Sequence, residues 1–90
     1  MRACTAYGVG YDRKTDTLYA VLYHGANLAD CYEIEDTPSG MTVTYDERGD
    51  AMAVEIPGVG KRLDMSMPLS VTVDAQEPFE LIVDDTTHQW

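Results

Sequence analysis

The side chains in this sequence whose type and spacing indicate a binding function are carboxylates. Four of them fall within residues 28–36 with no Lys or Arg among them: Asp30, Glu33, Glu35 and Asp36. On a β-strand, residues two apart project from the same face at a separation of about 6.7 Å. Glu33 and Glu35 have this spacing, which is of the same order as that of consecutive phosphates. A strand that displays carboxylates in this way could face a surface that normally binds phosphates.

The C-terminal part of the chain also carries acids without bases. Residues 63–90 contain six acidic residues and no Lys or Arg. The candidates for partner binding in this segment are Asp74, Glu77, Glu80, Asp84 and Asp85. The alternative is that these acids only keep the protein dispersed and soluble, which is a general effect of a large net charge.

The charge balance limits the function further. The chain has 90 residues, with 16 acidic against 6 basic side chains and a formal net charge of -10. Direct nucleic-acid binding is excluded, because neutralisation of phosphates supplies most of that affinity. The sequence contains no run of 18 apolar residues and no secretory signal, so we expect a cytoplasmic protein without a membrane partner. In that compartment Cys4 and Cys31 are expected to be free thiols, unless their strands are neighbours.

Catalytic and metal-binding patterns are weak in comparison. Neither His24 nor His88 has an acid and a nucleophile at a spacing typical of a triad, so we expect no enzyme and no cofactor. The paired aspartates of the two DxxxD segments, beginning at Asp12 and Asp46, could donate oxygens to calcium. Calcium needs six to eight oxygens, however, and aspartates commonly form turns. We therefore predict turns and no metal site.

The elements that would position the acids are β-strands. Hydrophobic residues alternate with polar ones almost everywhere, which predicts an all-β fold. We expect a small antiparallel β-meander of about seven strands, as a twisted sheet or a small sandwich or roll. The chain is short enough to form a single domain, residues 1–90. The predicted strands lie near residues 3–11, 17–23, 28–36, 41–46, 50–56, 65–74 and 79–84.

The same alternation predicts the buried face of each strand. Leu28, Tyr32 and Ile34 share one face of the acidic strand, and its glutamates share the other. Gly40 and Gly49 each close a predicted type I turn in the left-handed conformation. The predicted core consists of Leu18, Leu22, Ile34, Val43, Val54, Ile56, Leu69, Val71 and Leu81.

Two motifs resemble a small prokaryotic family known as a domain of unknown function. The pattern YDxxxDxLYxxL is matched from Tyr11 to Leu22, and DxxGxxxxxEI is matched from Asp46 to Ile56. Ala53 stands where the family usually has Gly. The resemblance covers about residues 7–58 and implies a compact β-meander without an assigned activity, some members of which are partners of toxin-like proteins. Residues 59–90 are then an additional C-terminal β-hairpin.

These observations predict a non-catalytic acidic binding protein. Its expected partner is a basic protein that acts on nucleic acids. It would inhibit that partner as a phage-type inhibitor does, such as an anti-CRISPR protein or DNA mimic, or as an antitoxin does. The alternative is a structural homo-oligomer, for example a homodimer that pairs through a sheet edge. Charged residues along an edge argue against such pairing, and an edge without them argues for it.

Overall fold

Two β-sheets make up the fold, and they are built from short strands. The computed structural model describes residues 2–62 and 68–89, so Met65 and Met67 of the predicted strand 65–74 lie outside the described residues. The elements are β1 Arg2–Thr5, β2 Gly8–Asp12, β3 Thr17–Val21, a 3₁₀ turn Leu28–Asp30, β4 Glu33–Asp36, β5 Thr42–Tyr45, β6 Ala51–Ile56, α1 Val59–Arg62, β7 Leu69–Val73, β8 Phe79–Val83 and β9 His88–Gln89.

The larger sheet has the strand order β4-β5-β6-β3-β2-β9, and the smaller one has the order β1-β8-β7. Neighbouring strands are antiparallel except for the pairs β1–β8 and β2–β9, which are parallel. The prediction of an all-β fold rich in antiparallel, meander-like pairing is therefore confirmed.

The single strand predicted over residues 3–11 is two strands in different sheets. Ala6 N–H donates to Ile82 O of the smaller sheet, whereas Tyr7 N–H donates to Val21 O of the larger sheet, both at 2.7 Å. The chain thus crosses between the sheets within one peptide unit. The parity of the buried residues changes at this crossing, because Cys4 and Ala6 pack against the core before it and Val9 does so after it.

The core lies between the two sheets and follows the period of two. Along β6 and β7 every second residue is buried. Seven of the nine predicted core residues are buried, and Leu22 is half-buried against the core. The buried residues that were predicted are Leu18, Val43, Val54, Ile56, Leu69, Val71 and Leu81.

The prediction for the acidic strand was wrong in its length and in its buried face. Residues 28–30 form a 3₁₀ turn, and β4 begins only at Glu33. Glu35 pairs with Val43, which is fully buried, so Glu35 lies on the core side and Ile34 on the outer side. Ile34 is 62% exposed. Because the period of a strand is two, a shift of one residue moves the whole hydrophobic set to the other face.

The two predicted turns have the expected geometry. Gly40 N–H donates to Thr37 O and Gly49 N–H donates to Asp46 O, each at 3.0 Å. Both glycines are left-handed, with φ of 90° and 85°. These turns place β4 beside β5 and β5 beside β6.

Truncation of Val54 tests the observed core. Val54 is 1% exposed and pairs with Val43 and Ala20 in the centre of the larger sheet. We expect Val54→Ala to lower the free energy of unfolding by about 1–3 kcal/mol, because the change leaves a cavity. Ile34→Ala is the matched control on the outer face and is expected to cost less than about 0.5 kcal/mol. Urea unfolding of both variants measures the difference, and equal losses would contradict the observed faces.

Candidate acidic cleft

Residues of both sheets line a cleft with a volume of about 860 Å³. One wall comes from β4 and β5, and the other comes from the segment that joins β7 to β8. Five carboxylates line it, together with one basic residue, Arg2. The lining residues are Arg2, Glu33, Glu35, Pro38, Tyr45, Gly49, Asp50, Ala51, Asp74, Ala75, Gln76, Glu77, Pro78 and Phe79.

The cleft joins the two acidic segments that are separate in the sequence. Glu33 and Glu35 come from the predicted acidic strand, whereas Asp74 and Glu77 come from the C-terminal segment. The fifth acid, Asp50, follows the turn between β5 and β6. Asp50 is not among the site residues predicted from the sequence.

Glu35 connects the two walls of this cleft. Tyr45 Oη donates to Glu35 Oε1 at 2.6 Å, and the backbone N–H of Gln76 donates to Glu35 Oε2 at 2.8 Å. Burial, followed by the hydrogen bond to Glu35, raises the pKa of the Tyr45 hydroxyl well above its usual range. Tyr45 therefore keeps its proton and continues to donate to Glu35 at any physiological pH.

Asp74 forms the second connection. Its carboxylate accepts hydrogen bonds from the backbone N–H of Ser39 at 2.8 Å and from Ser39 Oγ at 2.6 Å. The bond from the Ser39 hydroxyl is the main cause that lowers the pKa of Asp74 below its usual value. The turn between β4 and β5 is thus fixed to the end of β7.

The other lining acids leave more of their carboxylates to solvent. Glu33 and Glu77 are exposed, and their carboxylates accept no hydrogen bond from the described residues. Asp50 is exposed and faces Arg48 Nε at 3.7 Å, which is a long and weak ion pair. A guanidinium or ammonium group that enters the cleft would therefore meet carboxylates whose hydrogen-bonding capacity is unused.

The remaining predicted site residues lie outside the cleft. Asp30 is exposed in the 3₁₀ turn, and Asp36 is exposed on the outer face of β4, where Thr42 Oγ1 donates to it at 3.3 Å. Glu80 accepts from the Ser70 hydroxyl on the smaller sheet. Asp84 accepts from Thr86 N and Oγ1, and the hydroxyl bond is the main cause that lowers the pKa of Asp84. Asp85 is exposed beside it.

Asp46 accepts more hydrogen bonds with its side chain than any other acid that the structure describes, and it has the predicted role of a turn former. Its carboxylate accepts from the backbone N–H groups of Arg48 and Asp50, from Arg48 Nη2 at 2.9 Å and from Tyr23 Oη at 2.9 Å. The Arg48 guanidinium, followed by Tyr23, lowers the pKa of Asp46 to about 2. Asp12 likewise accepts from the backbone N–H of Lys14.

Some residues of the cleft carried no signal in the sequence. Tyr45 looked like an ordinary strand residue, and only the observed register with Glu33 places it beside the glutamates. The contribution of Gln76, and one of the two hydrogen bonds that Ser39 makes, come from backbone N–H groups of turns. Because every residue except proline has such a group, its use cannot be inferred from residue type.

The side chains of the described residues show no group of three or more His, Cys, Asp or Glu that could hold a metal ion. Within the same part of the chain, no helix has the length and apolar character needed to cross a membrane. Cys4 and Cys31 are both free thiols, as expected.

The chain was compared with protein-family models, with curated proteins and with solved structures, and none of them matches.

Removal of the charge on Asp46 tests the contribution of this turn to stability, because that contribution depends on pH. A carboxyl whose pKa falls from 3.8 to about 2 on folding stabilises the fold above pH 3.8, and this contribution is lost as the pH falls through about 2. We expect Asp46→Asn to be less stable than the wild type at pH 6, with a difference that shrinks between pH 4 and pH 2. Thermal unfolding of both proteins across this range gives the difference. A difference that does not change with pH would contradict the lowered pKa.

A pair of glutamine substitutions tests the connection made by Glu35. Glu35→Gln leaves one acceptor oxygen for the two donors, Tyr45 Oη and the Gln76 N–H, so one of them loses its partner. We therefore expect a loss of about 1–3 kcal/mol in the free energy of unfolding. Glu33→Gln removes the same charge from the same strand face, but no described hydrogen bond is lost, so less than about 0.5 kcal/mol is expected. Chemical unfolding of the two variants makes the comparison, and similar stabilities would show that Glu35 does not hold the walls together.

Proposed function

We propose that this protein is a non-catalytic acidic binding protein that neutralises a basic, nucleic-acid-acting protein partner. The observation that carries the proposal is the cleft, in which five carboxylates from two sheets face a single Arg. In this proposal the protein works in the cytoplasm, uses no cofactor and does not contact nucleic acid directly. A phage-type inhibitor, such as an anti-CRISPR protein or DNA mimic, and an antitoxin are the two biological settings that fit this activity.

The rigidity of the cleft supports the proposal. Glu35 and Asp74 are fixed by four hydrogen bonds from Tyr45, Gln76 and Ser39, none of which comes from a basic side chain. Their negative charges are therefore held in place without being neutralised. A preorganised site loses less conformational entropy when it binds, so more of the electrostatic attraction appears as affinity.

The exposed acids of the cleft would contribute to the rate at which the partner is encountered. Glu33 and Glu77 project into solvent at the cleft, where their charges act over a Debye length of about 8 Å at physiological salt. Exposed charges of this kind mainly accelerate the encounter with a partner of opposite charge. The half-buried acids, Glu35 and Asp74, would then hold the basic group, and the exposed acids would steer it.

A second candidate function is self-assembly through β7. Within residues 2–62 and 68–89 this strand is an edge of the smaller sheet, and its outward-facing residues, Ser70 and Thr72, carry no charge. Such an edge lacks the charged residues that normally discourage pairing. The net charge of -10 on each copy opposes association, however, so we place binding of a basic partner first.

Two charge-matched double variants test the proposal. Glu33→Gln/Glu77→Gln removes two exposed charges from the cleft, and Glu47→Gln/Asp85→Asn removes two exposed charges from elsewhere. Both have the same net charge, so only the position of the charge differs. Each is used as bait in a nuclease-treated lysate at low and moderate salt, and association rates are then measured with the protein that the wild type captures.

We expect the cleft variant to associate about tenfold more slowly at low salt, and the control variant to change much less. The difference should narrow as the salt concentration rises. Equal slowing by both variants would show that the net charge, and not the cleft, attracts the partner. Sedimentation of the wild type checks the second candidate, which requires a dimer that persists when no partner is present.

A further inference from the structure

Among the described residues, strand β4 is one of the two edge strands of the larger sheet, and β9 is the other. Strand β4 pairs with β5 on one side, and the described residues provide no strand on its other side. Thr37 N–H donates to Met41 O, which makes these two residues a hydrogen-bonded pair at the end of the β4–β5 ladder. Such pairs alternate along antiparallel strands. Glu33 and Glu35 therefore bond toward β5, whereas the backbone groups of Ile34 and Asp36 point outward.

Large apolar side chains lie beside this open backbone. Ile34 is 62% exposed, and Tyr32, just before the strand, is 73% exposed. Ile34 pairs with Thr44, which pairs with Ala53, so this row lies on the outer face of the sheet. The other face of β4 carries Glu33 and Glu35, which line the cleft.

The charges of β4 distinguish between the strands that could pair with it. Three of its four residues are acidic, so a second copy of β4 would bring like charges into cross-strand positions, where they are destabilising. A basic strand would meet opposite charges at the same positions. The open edge is therefore protected against self-pairing and remains complementary to a basic segment.

We propose that the partner adds an extended segment to β4, in which basic residues alternate with apolar ones. The proposal rests on the proposed function and specifies how the basic partner is bound. The backbone of the segment would bond to the N–H and C=O groups of Ile34 and Asp36. Because side chains alternate along a strand, its basic residues would lie beside Glu33 and Glu35, and its apolar residues would pack on Ile34 and Tyr32. This is recognition by strand addition, in which backbone bonds supply affinity and alternate side chains supply specificity.

A model peptide tests this mode of binding without a known partner. The probe is a peptide of about eight residues in which lysine and valine alternate, which is long enough to span β4. The first control has the same sequence with alternate backbone nitrogens methylated, so that its charge is kept and its hydrogen-bond donors are lost. The second control is tetralysine, which tests charge alone. Binding is followed through the amide resonances and hydrogen exchange of Ile34 and Asp36.

We expect the alternating peptide to slow the exchange of the Ile34 and Asp36 amides, which are unbonded in the free sheet. The methylated peptide should bind about tenfold more weakly, which corresponds to the loss of one or two net hydrogen bonds. In the protein, Ile34→Pro removes an outward N–H and should also cost about tenfold. Ile34→Ala keeps the N–H and should cost less. Proline is tolerated at such edge positions, and the exchange measurement on the wild type does not depend on that variant.

Failure of strand addition and failure of the proposed function give different results. If the methylated peptide and tetralysine bind as well as the alternating peptide, and Glu33→Gln/Glu77→Gln weakens all three, the acidic cleft binds cations but β4 accepts no strand. If none of the three peptides binds, the proposed function fails together with the inference. Protection of the Ile34 and Asp36 amides that rises with the concentration of the protein alone would assign the edge to a second copy and overturn the proposal.

Discussion

The position of the Glu35 carboxylate between two donors is the constraint on which the rest of the site depends. Tyr45 and the Gln76 amide both donate to it; Tyr45 lies in β5 of the larger sheet, and Gln76 lies in the segment that joins β7 to β8 of the smaller sheet. The contact sets the phase of β4, because it holds Glu35 on the core side and leaves Ile34 outside. It also brings the segment after β7 against β4, which creates the cleft. An exposed apolar residue and an acidic cleft on opposite faces of one edge strand are thus two results of one interaction.

Most half-buried acids of this fold are stabilised as Glu35 is, by hydrogen bonds from uncharged donors. The ion pairs among the side chains that the structure describes are those of Arg48 with Asp46 and Asp50. Elsewhere the half-buried acids are satisfied by hydroxyls and backbone N–H groups, as at Asp74 and Asp84. Hydrogen bonds of this kind favour the ionised carboxylate without cancelling its charge. The carboxylate oxygens therefore have hydrogen-bond donors, and the negative electrostatic potential around them is retained.

Local alternation was sufficient to predict the class of fold and most of the core. It succeeded for β6, β7 and β8, because their buried faces contain Val, Ile, Leu, Met or Phe and their outer faces, except at Ile82, carry small or polar residues. It failed for β4, where Glu-Ile-Glu-Asp fits either phase and the choice depends on contacts of Glu35 with residues 10 and 41 positions away. It also merged β1 with β2, because the pattern of a strand does not state to which sheet the strand belongs. The two acidic segments were found, but their meeting in one cleft depends on the turns at Ser39 and Gln76.

Neither the acidic cleft nor the open edge of β4 selects a binding partner by itself. Carboxylates attract any cation over a long range, so a cleft of this kind increases the association rate but gives little selectivity. An open strand edge provides directional backbone bonds, but these accept any extended chain. Because Glu33 and Glu35 lie on one face of β4 and Ile34 lies on the other, a segment that satisfies both features must alternate basic and apolar side chains in register. The selectivity of the site would then come from the period of the bound strand, a property that neither the charge nor the edge has by itself.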